Sequence, residues 1–204
     1  MHQVTVLLSG NSTPTGDGRF RAAGTVTLIH GALNVVVDTG DPGQRRQLLD
    51  ALATQGLSPA DIAYVVNTHG HLDHIGNNNL FPGATFILDT DVSRDGVYWT
   101  HDFDRGPLEL PCPVREAPIT VMRTAGHTDH DLSVIVDTSI GRVAIVGDLF
   151  EYEHDGIDRA WMQWSRNAEQ QRTSRAAVLA LARHIVPGHG DRFAVTSELR
   201  GRES

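Results

Sequence analysis

The stretch His69-Gly70-His71-Leu72-Asp73-His74 decides how this chain is read. Two histidines two apart, then a carboxylate and a third histidine side by side, put four metal-binding groups into one short turn. Ile62-Ala-Tyr-Val-Val-Asn67 precedes it, an apolar run rich in β-branched and aromatic residues that predicts a buried strand. Ile75-Gly-Asn-Asn-Asn-Leu80 follows, with polar and glycine punctuation. A rigid strand thus ends in a loop loaded with ligands. Neutral imidazole and carboxylate oxygen are donors that Zn²⁺ and Fe²⁺ accept, at roughly 2.0–2.2 Å.

Around this stretch the chain reads as alternating strands and helices. Val4–Leu8 predicts a first strand and residues 9–18 a loop; residues 24–38 predict a β-hairpin ending in Asp38-Thr39-Gly40. Gln44 to Thr54 carries Leu48, Leu49, Leu52 and Ala53 at helical spacing, and Ser58-Pro59 can start one more helical turn. A strand follows at Ala84–Leu88, and residues 89–118 read as loop with short elements. A second series starts near Ile119–Met122. It continues through Gly126-His127-Thr128, strands at Leu132–Val136 and Arg142–Val146, and Gly147-Asp148. Residues 166–184 predict one helix, with Ala177, Val178 and Leu181 on one face and Arg172, Arg175 and Arg183 on the other. Pro187-Gly188-His189-Gly190 and a strand near Phe193–Val195 end the series. The order predicts an α/β fold with two sheets, and no repeat of 20–50 residues argues for a solenoid or propeller.

Composition narrows the function. A chain of 204 residues with 40% hydrophobic and 21% charged residues suits one domain, residues 1–204, built of two halves meeting near 110–118. No apolar run approaches the roughly 20 residues that span a bilayer, and the N-terminal residues lack a secretory pattern. Cys112 is the single cysteine, so no internal disulfide and no cysteine-ligated cluster can form. A cytoplasmic setting is expected, or a nuclear one in a eukaryote. The net charge is −8, and all seventeen basic residues are arginine. Lysine-based substrate capture is therefore excluded, and non-specific nucleic-acid binding is disfavoured, because it needs clustered positive charge.

Four features stand at the ends of predicted strands: residues 69–74, Gly126-His127-Thr128, Gly147-Asp148 and Pro187-Gly188-His189-Gly190. Together they resemble the metallo-β-lactamase fold superfamily over almost the whole chain. That resemblance implies a four-layer αβ/βα sandwich of two mixed sheets with helices outside. It implies a first metal on His69, His71 and His127, a second on Asp73, His74 and His189, and Asp148 bridging the pair. Two Zn²⁺ ions are expected, with Fe or Mn as alternatives. Asp38 is expected to accept a ligand histidine N–H and fix its orientation.

The reaction class is metal-assisted hydrolysis. Two divalent cations less two carboxylates and one hydroxide leave roughly +1 in a partly dry cleft, enough to lower a water's pKa toward neutrality. Asp73 can hold the second metal and orient the nucleophile. An aspartate at 148 and the absence of lysine separate the chain from the commonest true β-lactamases. Its length leaves no room for the extra domains of the long nucleases or of glyoxalase II.

Further segments, including Phe81-Pro-Gly-Ala84, His101-Asp-Phe103, Gly147-Asp-Leu-Phe-Glu151 and residues 161–175, resemble one branch of the superfamily. Its animal members are linked to endonucleolytic processing of histone pre-mRNA. The chain departs from that branch near Gly31, where some relatives carry a long insertion, and within Gly126–His130. The resemblance implies a metal-bridged hydroxide attacking an RNA phosphodiester. Arg172, Arg175 and Arg183 would then offer a backbone track, Trp161 and Trp164 would stack bases or seal the cleft, and His101 or His130 would protonate the leaving group. The alternative is a hydrolase of small thioesters or lactones, which an acidic, lysine-free surface suits. A mononuclear iron dioxygenase and a non-catalytic metal module fit the ligand set less well. The arginine-faced helix and the tryptophans near residue 161 offer contact area for a homodimer.

Overall fold

Two groups of β-branched residues organise the architecture, one before Thr100 and one after Leu108. A computed structural model describes residues 1–112 and 117–203. The first group forms a seven-stranded sheet in the order Gln3–Leu8, Val26–His30, Val35–Val37, Tyr64–Val66, Thr85–Leu88, Asp91–Arg94 and Val97–Thr100. The pairs around Tyr64–Val66 are parallel and the others antiparallel, so the sheet is mixed. The second group forms a six-stranded sheet in the order Leu108–Leu110, Ile119–Arg123, Leu132–Thr138, Gly141–Gly147, His184–Pro187 and Phe193–Ala194. Its one parallel pair joins Gly141–Gly147 to His184–Pro187.

Alternation along the strands assigns each side chain to a layer. Val35, Val37, Val66 and Ile87 of the first sheet pack against Val121, Val134, Val136 and Ile145 of the second, forming the core between the sheets. Val36 and Val65 point the other way, onto Leu48 and Leu52 of the helix Arg45–Thr54. Ala144, Val146 and Ile185 likewise meet Val178 and Leu179 of the helix Ala168–Leu181. The result is helix, sheet, sheet, helix: the expected four-layer sandwich. Central strands covered on both faces read as continuous apolar runs, which is why Val35–Val37 is buried at every position.

Several segments differ from the sequence expectation. Residues 9–18 are partly ordered as a hairpin, Asn11–Pro14 pairing with Phe20–Ala23. Residues 89–118 hold a second hairpin, Asp91–Arg94 with Val97–Thr100, turning at Asp95 (φ 50°) and Gly96 (φ 77°). Two successive positive φ values make the two-residue hairpin turn that Asp-Gly favours, a sequence signal overlooked in reading this region as loop. The second sheet already begins at Leu108, while part of the expected boundary at 110–118 falls on 113–116, outside the described residues.

The long helix also starts and stops inside its expected bounds. The Asn167 side chain accepts from the Gln170 N–H and caps the start, and Ala182 turns extended to end it. Its buried face is Gln171, Arg175, Val178 and Leu179, leaving Ala177 and Leu181 exposed. Among the described residues no helix is long and apolar enough to cross a membrane.

Candidate metal centre

The two sheets present their ligand-bearing loops at one end of the sandwich. The Gly24 N–H donates to the Asp73 carbonyl at 2.9 Å, and the Thr25 N–H donates to the Gly188 carbonyl at 2.7 Å, stitching the loops together. Residues 72–75 of the opening stretch form one short helical turn behind His71. That turn carries the buried His74 inward and leaves Asp73 at the rim with its side chain 21% exposed.

The side chains converge in two adjoining sets. The first is His69, His71, His127 and Asp148; the second is Asp73, His74 and His189. Within the first set, His71 Nδ1 lies 2.9 Å from His69 Nε2 and 3.1 Å from His127 Nε2. Asp148 Oδ2 lies 3.7 Å from His69 Nε2 and 3.4 Å from His127 Nε2. Asp148 also faces the second set, with Oδ1 3.1 Å from His74 Nε2 and Oδ2 3.4 Å from His189 Nε2. Asp73 Oδ2 completes that set, 3.8 Å from both His74 and His189 Nε2.

Outer contacts fix which ring nitrogen each histidine offers. Asp38 Oδ2 accepts from His74 Nδ1 at 2.8 Å and from the Thr68 hydroxyl at 2.8 Å, while Oδ1 accepts from the Thr68 N–H at 2.7 Å. The Thr68 oxygen, having donated its proton, accepts from His69 Nδ1 at 3.1 Å. His189 Nδ1 donates to the Ala23 carbonyl at 3.1 Å. All three histidines are therefore held in the tautomer that turns Nε2 toward the centre. Asp38 reaches its three partners from a left-handed backbone, φ 57°, a conformation that costs a non-glycine residue about 1–2 kcal/mol.

Two glycines make room for this packing. A Cβ on Gly188 would overlap the Asp148 carboxylate, and Gly126, at φ 148°, lies flat against the backbone of Gln171. Gln171 in turn donates to the Asp148 carbonyl at 3.0 Å. Asp131 secures the loop that carries His127, accepting from the Gly126 and Thr128 N–H groups and from the Thr128 hydroxyl.

Left to themselves, these side chains share protons. Burial opposes charge on His74, yet Asp148 and Asp38 outweigh it and hold its pKa well above the ordinary histidine value. Burial likewise opposes charge on His189, and Asp148 overcomes it, raising its pKa to about 9. His69 is pushed well below the ordinary value by burial and by the neighbouring His74. Burial works against ionisation of Asp148, but His74, His189 and His69 hold it well below the carboxylate range. Glu151 rises to about 8 through burial and the nearby Asp148.

These groups suit divalent cations. Four ligands at about 2.0–2.1 Å in a tetrahedron stand roughly 3.3 Å apart. The first-set separations, 2.9 to 3.7 Å, bracket that spacing. His74 Nε2 and Asp148 Oδ1 are buried and face each other at 3.1 Å without an aligned hydrogen bond, so a cation between them would take up both atoms.

The centre opens into a cleft of about 940 Å³. Pro82, Phe86, Leu88, Tyr98 and Trp164 give it apolar walls, and Asn67, Asn78 and Asn79 supply amides. Its acids are Asp89, Asp91 and Asp129. Of the basic groups on its wall, His130 lies 3.1 Å from Asp89, and Arg166 lies 2.8 Å from Asp129.

The superfamily model described as "Metallo-beta-lactamase superfamily" matches residues 20–189. The chain belongs to this superfamily. The metallo-beta-lactamase domain-containing protein 1 of Xenopus laevis is 47% identical over 196 residues, covering 95% of this chain and 82% of the relative. A crystal structure of a Thermotoga maritima protein assigned to the metallo-β-lactamases superposes with a TM-score of 0.68 at 21% identity, covering 95% of this chain and 99% of that one. An N-acyl homoserine lactone hydrolase, solved with its product N-hexanoyl-L-homoserine at the catalytic metal centre, gives a TM-score of 0.61 at 16% identity, covering 92% of each chain. At these identities the two solved structures share the fold.

Other expected site residues need correction. Arg175 cannot line a nucleic-acid track: its side chain is 0% exposed, paired with Asp155 at 2.7 Å and covered by Phe150 and Trp161. Trp161 is buried against it, 2% exposed, and is available neither for base stacking nor for dimer contact. Arg172 and Arg183 are exposed but stand apart from the cleft wall. His101 bonds the Gly106 carbonyl at 3.0 Å and packs on Phe103, outside the cleft, so no leaving-group role follows from its position. His130 and Trp164 do line the cleft, and Trp164 stacks edge-on with Phe20.

Proposed function

We propose that this chain is a dinuclear metal-dependent hydrolase whose substrate carries a hydrolysable ester, thioester or lactone group on a small uncharged body. The composition of the cleft supports this substrate class. Its apolar walls suit an acyl chain. Among the described residues its three aspartates outnumber the one arginine, Arg166, which is itself committed to Asp129, so the wall offers polyanions no free arginine.

His69, His71, His127 and Asp148 would hold one cation, and Asp73, His74 and His189 the other, with Asp148 shared. When bound, such a pair lowers the pKa of a water toward neutrality and stabilises charge developing on an attacked oxygen. The chain supplies the rest. Asp38 locks His74, Thr68 locks His69, and Asp131 fixes the loop that places His127. Asp73, at the rim of the centre, is positioned to orient the water and take its proton. Asn67 and Asn78, bonded to each other, and His130 face the space where a leaving group would sit.

An RNA phosphodiester is the second reading. It is favoured by Asp148 facing both sets, an arrangement suited to clamping the attacking and leaving oxygens of an in-line displacement. Metal content per chain, followed by turnover of an acyl lactone, an acyl thioester and a single-stranded RNA, separates the two. The acyl substrates should exceed RNA by about a hundredfold in kcat/KM, within the range electrostatic focusing of one sign of charge produces. Faster RNA cleavage with no acyl turnover would overturn the leading assignment. A single iron atom per chain with oxygen consumption would replace both by the dioxygenase chemistry.

A further inference from the structure

Glu151 is a buried acid that the two sets above do not use. It follows Asp148 by three residues on a loop held from several sides. The Gly188 N–H donates to the Phe150 carbonyl at 2.9 Å, the His189 N–H to the Glu151 carbonyl at 2.8 Å, and the Glu151 N–H to Asp155 Oδ2 at 2.7 Å. Its side chain is 9% exposed, with Oε2 3.8 Å from His189 Nε2. Among the described residues His189 is the one basic group within 4 Å of that carboxylate. Asp148, Glu151 and His189 bring ligand atoms within 4.8 Å of one another. Asp148 Oδ1 and His74 Nε2, at the same spot, are buried and face each other at 3.1 Å without an aligned hydrogen bond. Ionising a buried carboxylate beside another, with one imidazole between them, is costly unless a cation joins the cluster.

We infer that Glu151 is a third carboxylate of the second cation set, which makes this set a site for a harder divalent ion such as Mn²⁺ beside a Zn²⁺-type first set. The inference rests on the dinuclear assignment above. The first set offers three imidazoles and the shared Asp148. The second offers two imidazoles with Asp73, Asp148 and Glu151. Carboxylate oxygen suits Mn²⁺, whereas imidazole suits Zn²⁺. Absolute affinity still favours Zn²⁺ at both positions, so the expectation concerns the ratio of the two metals' affinities, which should be smaller at the second set.

The test uses full-length protein stripped of metal, titrated with Zn²⁺ and then Mn²⁺, and read by elemental analysis and by the Mn²⁺ electron paramagnetic resonance signal. Wild type given a single equivalent of Zn²⁺ and then excess Mn²⁺ should hold one of each per chain. Glu151→Gln should lose Mn²⁺ affinity by about tenfold or more while its first Zn²⁺ binds within a few-fold of wild type. His69→Ala, titrated with Mn²⁺ alone, should still bind one Mn²⁺ with wild-type affinity. The metal-free Glu151→Gln protein should melt no lower than metal-free wild type, because the substitution removes one of the crowded acids. Unchanged Mn²⁺ affinity in Glu151→Gln would overturn the inference and leave the dinuclear assignment intact. So would a metal-free variant that melts lower, since Glu151 would then be bracing the loop. Wild-type protein that binds fewer than two ions would instead remove the dinuclear assignment on which the inference stands.

Discussion

Replacing Arg175 with methionine tests whether the loop behind the metal centre is held from the helix. Arg175 Nη1 donates to Asp155 Oδ2 at 3.0 Å and to the Leu149 carbonyl at 2.9 Å, and Nη2 donates to Asp155 Oδ1 at 2.7 Å. Its guanidinium lies 3.8 Å from the Phe150 ring centroid and 4.7 Å from that of Trp161. Methionine fills much of the volume but takes the Arg175 guanidinium away from the buried Asp155. Breaking a buried pair on one side costs about 3–5 kcal/mol. At about 2–4 °C per kcal/mol for a chain of this size, the melting temperature should fall by roughly 6–20 °C. Asp155 also accepts from the Glu151 N–H, so the loop carrying Asp148 and Glu151 should loosen and metal retention should drop. The assay is a thermal melt of metal-free protein with parallel metal analysis. Pairing the substitution with Asp155→Leu removes the stranded charge and should recover most of the stability. A single variant that melts within 2 °C of wild type, or a double variant no better than the single, would refute this account of the loop.

Metal-free protein should lose stability as pH rises from 7 to 9. His189 at about 9 and Glu151 at about 8 both sit above their unfolded values, so their contribution is complete below those values and disappears as pH climbs through the folded ones. Melts of chelated protein across that range check the sign; a rise would contradict it. For the same reason, metal uptake at pH 7 should release protons, measurable with an indicator dye in weak buffer. Gly188→Ala should displace the Asp148 carboxylate and lower metal stoichiometry while the far-ultraviolet circular dichroism spectrum stays unchanged. Leu52→Ala, beneath the first sheet and far from the ligands, should cost about 2–5 kcal/mol in denaturant melts without altering metal content.

The parts of the fold legible in the sequence were those where one physical signal dominates. The apolar runs around Val35–Val37 and Tyr64–Val66 read as strands, though the second is shorter than the 62–67 expected, and glycine-flanked ligands marked strand ends. The helix at residue 168 was harder, because arginine at helical spacing normally means a solvated face. Arg175 reverses that expectation through Asp155, twenty residues earlier, a pairing no local pattern announces. Glu151 escaped for a related reason: next to Phe150 it looks like an ordinary surface acid, and only folding places it beside His189. Thr68 and Asp131 act through hydrogen bonds whose partners are fixed by backbone direction. The Asp95-Gly96 turn, by contrast, carries its hairpin signal in two adjacent residues.

The stitching of Gly24 to Asp73 and of Thr25 to Gly188 has a consequence for how the protein matures. His69, His71, Asp73 and His74 belong to the first sheet's loops; His127, Asp148 and His189 belong to the second's. Neither sheet alone owns a full coordination sphere, so tight ion capture must wait until both have docked. An ion held there would act as a rivet through the finished sandwich, and its departure should precede any separation of the sheets. Occupancy thereby reports that assembly is complete, and a half-folded chain has little with which to compete for scarce metal.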